Sequence, residues 1–215
     1  VLIGVVAKVI FLLYNGWGRE LSVGDCFAIL WNGLPLDLSF SGYVSAILWL
    51  ILLAGYWISI HRNVFYVYFA FVALLQGIIY IVDTGLFAFW NFKIDATIFT
   101  YLDSPKEVMA SVSTLYVVVG ISCILAAVIG IFLLYKRTFT KESATRLAQL
   151  RLSTTKRVIG TFVHLLLGGL LFLAIRGGVG VSTANPGVVY FSDNAFLNSA
   201  AVNPAFNLFY SLSKV

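Results

Sequence analysis

FSGYVSAILWLILLAGYWISI (Phe40–Ile60), then His61-Arg62-Asn63, then VFYVYFAFVALLQGIIYIV (Val64–Val82): two apolar runs free of charge are joined by three polar residues. A helix rising 1.5 Å per residue crosses a bilayer core of about 30 Å with about 20 apolar residues. Each run meets that requirement, and so short a turn sends the second helix back beside the first. The pair therefore predicts a transmembrane hairpin. The rest of the chain agrees, being 60% hydrophobic and 11% charged with a mean hydropathy of +0.96, against the roughly 25% charged residues of soluble domains.

Three further runs complete the plan: Val1–Tyr14, broken only by Lys8, then Val112–Tyr135 and Val158–Ile175. The expected fold is an all-α membrane protein. It is a bundle of five transmembrane helices (about 1–14 partial, 40–60, 64–82, 112–135 and 158–175) with interfacial outer helices, and residues 1–175 form the membrane domain. A start at Val1 inside an apolar run, without Met, reads as an incomplete N-terminus rather than a signal peptide.

Charge placement gives the orientation. Residues 136–157 carry seven basic side chains against Glu142 alone, and Arg62 falls on the same side when the spans alternate. Eight basic residues against one acid leave +7 on that side. The opposite side holds eight acids, Asp37 and Asp83 among them, against five basic residues, leaving −3. Basic residues concentrate in short cytoplasmic loops, so the N-terminus is expected inside and the C-terminus outside. The same loop accounts for the net charge of +5 through topology and anionic lipid, and a nucleic-acid partner is not expected.

Ionisable groups within the spans are few. Lys8 is expected to snorkel or to serve the bundle structurally. His164, with no acidic partner in any other predicted span, suits an interhelical hydrogen bond better than a proton relay, and Gln76 suits a helix–helix contact. Cys26 and Cys123 are expected to stay unpaired. Without paired intramembrane acids, an inverted repeat or broken helices, a transporter is disfavoured.

Two outer connections carry features of their own. Residues 15–39 are expected to lie along the interface. In 83–111, the aromatic stretch LFAFWNF (86–92) suits the head-group layer, and Ser104-Pro105-Lys106-Glu107 reads as a capping box that starts the fourth helix. The tail opens with the glycine-rich RGGVGVSTANPG (176–187). Ser192 is expected to cap a helix through Ala201. Asn203-Pro204 is expected to open another, with Phe206, Phe209 and Tyr210 at helical spacing.

The tail GVVYFSDNAFLNSAAVNPAFNLFYSL closely resembles the linker of lipoteichoic acid synthase-like membrane proteins, phosphoglycerol transferases of the sulfatase superfamily, in their Bacteroidetes version. The outer stretches FKIDATIFTYLDSPKEVMAS (92–111) and WNGLPLDLS (31–39) resemble the same family, as does the five-span, C-terminus-out plan. The resemblance implies a bacterial cytoplasmic-membrane protein whose residues 176–215 lead as an outer interfacial linker toward a catalytic domain missing from this chain. In that domain a Thr nucleophile with manganese or magnesium moves phosphoglycerol, or a similar head group, from a phospholipid to an extracytoplasmic polymer or glycan. No catalytic or metal-ligating residue and no cofactor of that chemistry is expected here.

What remains is anchoring and positioning, with membrane phospholipids and the outer domain as partners. Candidate lipid head-group contacts at the outer face are Trp90, Lys93, Asp95, Lys106, Arg176 and Asn185, of which the three basic ones suit a phosphate. The alternatives are the membrane domain of a phosphoethanolamine transferase, and a non-enzymatic scaffold or transporter-like subunit. The orientation is directly testable: a phosphatase reporter fused after Val215 is expected to be active, and one inserted at Thr145 inactive.

Overall fold

A computed structural model of the chain describes residues 1–102, 112–139 and 153–215. All secondary structure among them is helical: α1 (Leu2–Asn15), α2 (Val23–Ala54), α3 (Arg62–Trp90), α4 (Ile98–Leu102), α5 (Thr114–Thr138) and α6 (Thr154–Arg176), followed by a 3-10 turn (Pro186–Val189), α7 (Ala195–Ala201) and α8 (Pro204–Leu212). Four of these, α2, α3, α5 and α6, are long and apolar enough to cross a membrane. The apolar α1 has 14 residues, short of a full crossing.

Local chemistry sets the helix ends. Ser22 opens α2 with a complete capping box: its hydroxyl accepts from Asp25 N, and the Asp25 carboxylate accepts from Ser22 N at 2.9 Å. The helix then continues without interruption through Pro35 to Ala54. Residues 23–39, expected along the interface, are thus the first half of α2. The hydropathy pattern misses them because Asn32, Pro35 and Asp37 break it, yet a packed helix tolerates such residues when neighbours satisfy them. At the far end of the hairpin, α3 runs on to Trp90 and closes on Asn91 in the left-handed region (φ 56). Asp37 and Asp83, read as outer-loop residues, therefore lie inside helices and are buried.

In the tail, α7 is capped by Asn194, whose side chain accepts from Phe196 N at 2.9 Å, and not by Ser192. Ser192 acts one step earlier, its hydroxyl accepting from Asn194 N at 3.1 Å. Asn203 and Pro204 open α8 as expected. The membrane helix α5 starts at Thr114 with Ser113 as its cap. The predicted cap at Ser104 lies outside the described residues.

The long helices pack as two tight pairs, α3 with α5 and α2 with α6. Small residues permit both approaches. A Cβ on Gly77 would stand 2.5 Å from Val128 Cγ2 and 3.0 Å from Val128 N, and one on Gly42 would stand 2.8 Å from Ile175 Cγ1. Two tryptophans stitch the second pair: Trp57 Nε1 donates to Thr161 Oγ1 at 3.0 Å, and Trp49 Nε1 donates to His164 O at 3.2 Å. His164 Nε2 returns to Trp49 O at 3.1 Å, with the two rings stacked at 5.1 Å. A carbonyl only accepts, so Nε2 carries the proton, and this histidine has the interhelical role expected of it.

Between the pairs, α2 and α3 meet mainly through side chains. Phe65, Tyr68, Phe69 and Val72 pack against Val44, Leu48 and Leu52, and the Tyr68 hydroxyl donates to Val44 O. Outward faces stay apolar. No residue of α6 is buried and only Ile131 of α5 is, while Leu115, Ile129, Phe162 and Leu170 are each more than half exposed. So much exposed hydrocarbon suits lipid, not water. The close approach at Gly77 makes a prediction: Gly77→Leu should cost about 1–3 kcal/mol of stability through overpacking. Gly130→Ala, with open space around its Cβ, should be neutral or slightly stabilising, both read from thermal melts in detergent.

Candidate functional site

The half of the bundle nearest the tail holds two buried ion pairs. Lys8 on α1 reaches Asp37 on α2 at 2.5 Å, with side-chain exposures of 2% and 0%. Its Nζ also approaches Gly33 O, one turn before Asp37, at 3.4 Å. Lys93, just past α3, meets Asp83 at 2.7 Å. An isolated charge in such surroundings is untenable, so each carboxylate needs its cation and further donors.

Those donors come from loops and tail. Asp83 Oδ1 accepts from Ile94 N at 3.0 Å, bending the chain back so that Lys93 Nζ sits 3.4 Å above the Phe11 ring of α1. Asp37 Oδ1 accepts from Asn203 Nδ2 at 2.8 Å, and the same amide points at the Tyr80 hydroxyl at 3.4 Å. Asn203 works at both ends, since its Oδ1 accepts from Phe206 N at 3.0 Å and caps α8. Two more tail residues fix the loop after α3: Asn207 Nδ2 donates to Ile94 O at 2.9 Å, and Ser211 Oγ accepts from Ala96 N at 2.8 Å.

The backbone makes room for these contacts. A Cβ on Gly4 would lie 2.6 Å from Asp37 Oδ1, and one on Gly33 would lie 2.5 Å from both Lys8 Cε and Ala201 O. Around the polar cluster closes the larger core, with Phe11, Leu36, Tyr80, Phe87, Phe196 and Phe206 among its members. One atom is left over: Asp37 Oδ2 is buried without a partner.

This arrangement fastens five segments together: α1, α2, α3, the loop after α3, and the tail. Chemically it is closed. Each carboxylate faces a lysine, and among the described residues no group of three His, Cys, Asp or Glu side chains could hold a metal ion. Burial pushes the Lys93 ammonium below the ordinary lysine range, and Asp83 opposes that shift.

Of the six residues expected at the lipid face, the five that are described fall into two groups. Trp90, Lys93 and Asp95 lie in and around the loop after α3. Trp90 stacks with both Phe92 and Tyr101, and Asp95 Oδ1 accepts from Thr97 N at 2.9 Å. Lys93 is engaged by Asp83 and buried. Arg176 and Asn185 lie at the C-terminal end of α6, where Ala184 N donates to Arg176 O at 2.8 Å. Arg176 Nη1 donates to Gly178 O and Gly180 O at 2.9 and 2.7 Å, and Asn185 caps the 3-10 turn. Lys106 lies outside the described residues.

Asp37, Tyr80, Asp83 and Asn203 are the residues the sequence reading missed. A signal exists in hindsight: Gly33 and Asp37 share one helix face four residues apart, as Tyr80 and Asp83 do at a spacing of three. Compared with protein-family models, curated proteins and solved structures, the chain matches none.

The Lys8–Asp37 pair makes a sharp prediction. Lys8→Met or Asp37→Leu alone should each destabilise by about 3–5 kcal/mol, because each strands one buried charge. The double variant should recover most of that loss, giving a large coupling in a double-mutant cycle of melting curves.

Proposed function

We propose that this chain is the membrane-embedded anchoring and positioning domain of a lipoteichoic acid synthase-like phosphotransferase in a bacterial cytoplasmic membrane. In this reading α1 belongs to a fifth span, the N-terminus is cytoplasmic, and residues 176–215 lead outward to a sulfatase-like catalytic domain. That domain would use manganese or magnesium and a Thr nucleophile to move phosphoglycerol from a phospholipid to an outer polymer or glycan.

The observation that carries the reading is the docked tail. A segment that only tethered a domain would need no buried contacts. Here Asn203, Asn207 and Ser211 bond the bundle through Asp37, Ile94 and Ala96, while Phe196, Leu197 and Phe206 sit in the core. A stalk held this way fixes where and how a following domain stands above the leaflet. Fixed geometry lowers the entropic barrier for an enzyme whose donor is itself a membrane lipid. The resemblance in the tail and in residues 31–39 and 92–111 supports the family.

Two measurements test this. The reading frame beyond Val215 is expected to encode a Thr nucleophile with Asp, Glu and His metal ligands; an early stop codon would favour the scaffold instead. The full-length product, given labelled phosphatidylglycerol or phosphatidylethanolamine with manganese, is expected to transfer from the former. Transfer from the latter alone would assign the phosphoethanolamine class, and transfer from neither would remove both enzymatic readings.

A further inference from the structure

A groove of about 770 Å³ lies where the two helix pairs splay, between α2, α3 and the end of α6, with α8 along it. Its size is within the roughly 300–1,000 Å³ of small-ligand sites. From the groove we infer a binding site for one anionic glycerophospholipid, an acyl chain lying between the pairs and the phosphate at Arg176. This rests on the membrane placement of the bundle and not on the transferase chemistry.

The groove is graded from polar to apolar. Ser39 Oγ donates to Ile175 O, which sets the C-terminal end of α6 level with residue 39 of α2. Arg176 is therefore at one end. From there Phe40, Val44 and Ile47 line the wall of α2 inward over about 10 Å, seven residues at 1.5 Å each. Phe71, Val72 and Leu75 face them from α3. Such an apolar slot in a bundle surrounded by lipid is filled at least cost by a hydrocarbon chain.

The polar end suits a phosphodiester. Arg176 Nη1 is held by the carbonyls of Gly178 and Gly180, which fixes the guanidinium. No described residue accepts from its Nε or Nη2, so those donors remain for a ligand. Thr183 and Tyr210 line the same cavity, and no carboxylate is among its lining residues. Gln76, 4% exposed, also lines the groove. Its Oε1 accepts from the Tyr135 hydroxyl at 2.9 Å, and no described residue accepts from its amide N–H groups.

The test needs no turnover. The chain is purified in mild detergent, exposed to phosphatidylglycerol or phosphatidylcholine, stripped of loosely held lipid, and weighed by native mass spectrometry. Wild type is expected to retain one phosphatidylglycerol, at least tenfold over phosphatidylcholine. Ile47→Trp and Phe71→Trp fill the groove from opposite walls at half-exposed positions, 51% and 56% exposed. Both should lower retention of either lipid at least tenfold. Arg176→Gln should weaken retention of both phosphodiesters, phosphatidylglycerol the more because phosphatidylcholine's own ammonium already offsets its phosphate, and so remove most of the preference for the anionic lipid. Retention unaltered by both tryptophan variants would overturn the site. A preference undiminished by Arg176→Gln would overturn the phosphate assignment. Lipid retention without transferase activity leaves this site standing while the enzymatic reading falls, so the two fail separately.

Discussion

A carboxylate taken out of water must be compensated where it stands, and Asp37 is where this molecule meets that demand. Moving an ion into a low-dielectric interior costs several kcal/mol even after relaxation. The compensation comes from two distant parts of the chain, Lys8 from α1 and Asn203 from the tail, and Gly4 of α1 leaves room for the carboxylate. Asp83 repeats the pattern with Lys93 and Ile94 N. Because these partners come from outside the helices that carry the carboxylates, α1, the tail and the loop after α3 are bound to α2 and α3 by the need to satisfy the charge.

That need explains the distribution of packing. Toward the turn between α2 and α3, the two helix pairs touch through aromatic side chains and leave a groove. The halves nearest the tail are joined by a continuous core around the polar cluster, including Phe11, Tyr80, Phe87, Val189, Ala201 and Phe206. Without a hydrophobic driving force between helices in lipid, close backbone approach and polar contacts have to hold the bundle. The glycines at 42 and 77 supply the first within each pair. The ion pairs and the tail supply the second across them.

The membrane class, the hairpin of α2 and α3 and the Asn203-Pro204 start of α8 were legible because each is a local pattern: apolar length, a short polar turn, a cap. The role of Asp37 was not. Hydropathy averages over a window and cannot tell a polar residue in a loop from one that ends a span and finds its partner 29 or 166 positions away, as Asp37 does with Lys8 and Asn203. The same averaging hid the first half of α2, where Asn32 donates to Ala28 O within the helix. Lys93 misled for the opposite reason. It follows an aromatic stretch suited to the interface, yet Asp83 ten residues earlier turns it inward. The two tail-to-loop bonds, Asn207 to Ile94 and Ser211 to Ala96, join distant segments and leave no periodic trace.

The docked tail also bears on the order of events during synthesis. A chain made from its N-terminus completes α1, α2 and α3 long before Asn203 exists. Until then Asp37 holds Lys8 but lacks its amide donor, and the surfaces that receive Phe196 and Phe206 stand open. The bundle is thus finished only by a segment made after all of its long helices. A chain arrested before residue 203 would carry its membrane helices and still be recognisably incomplete to any protease that surveys exposed apolar surface.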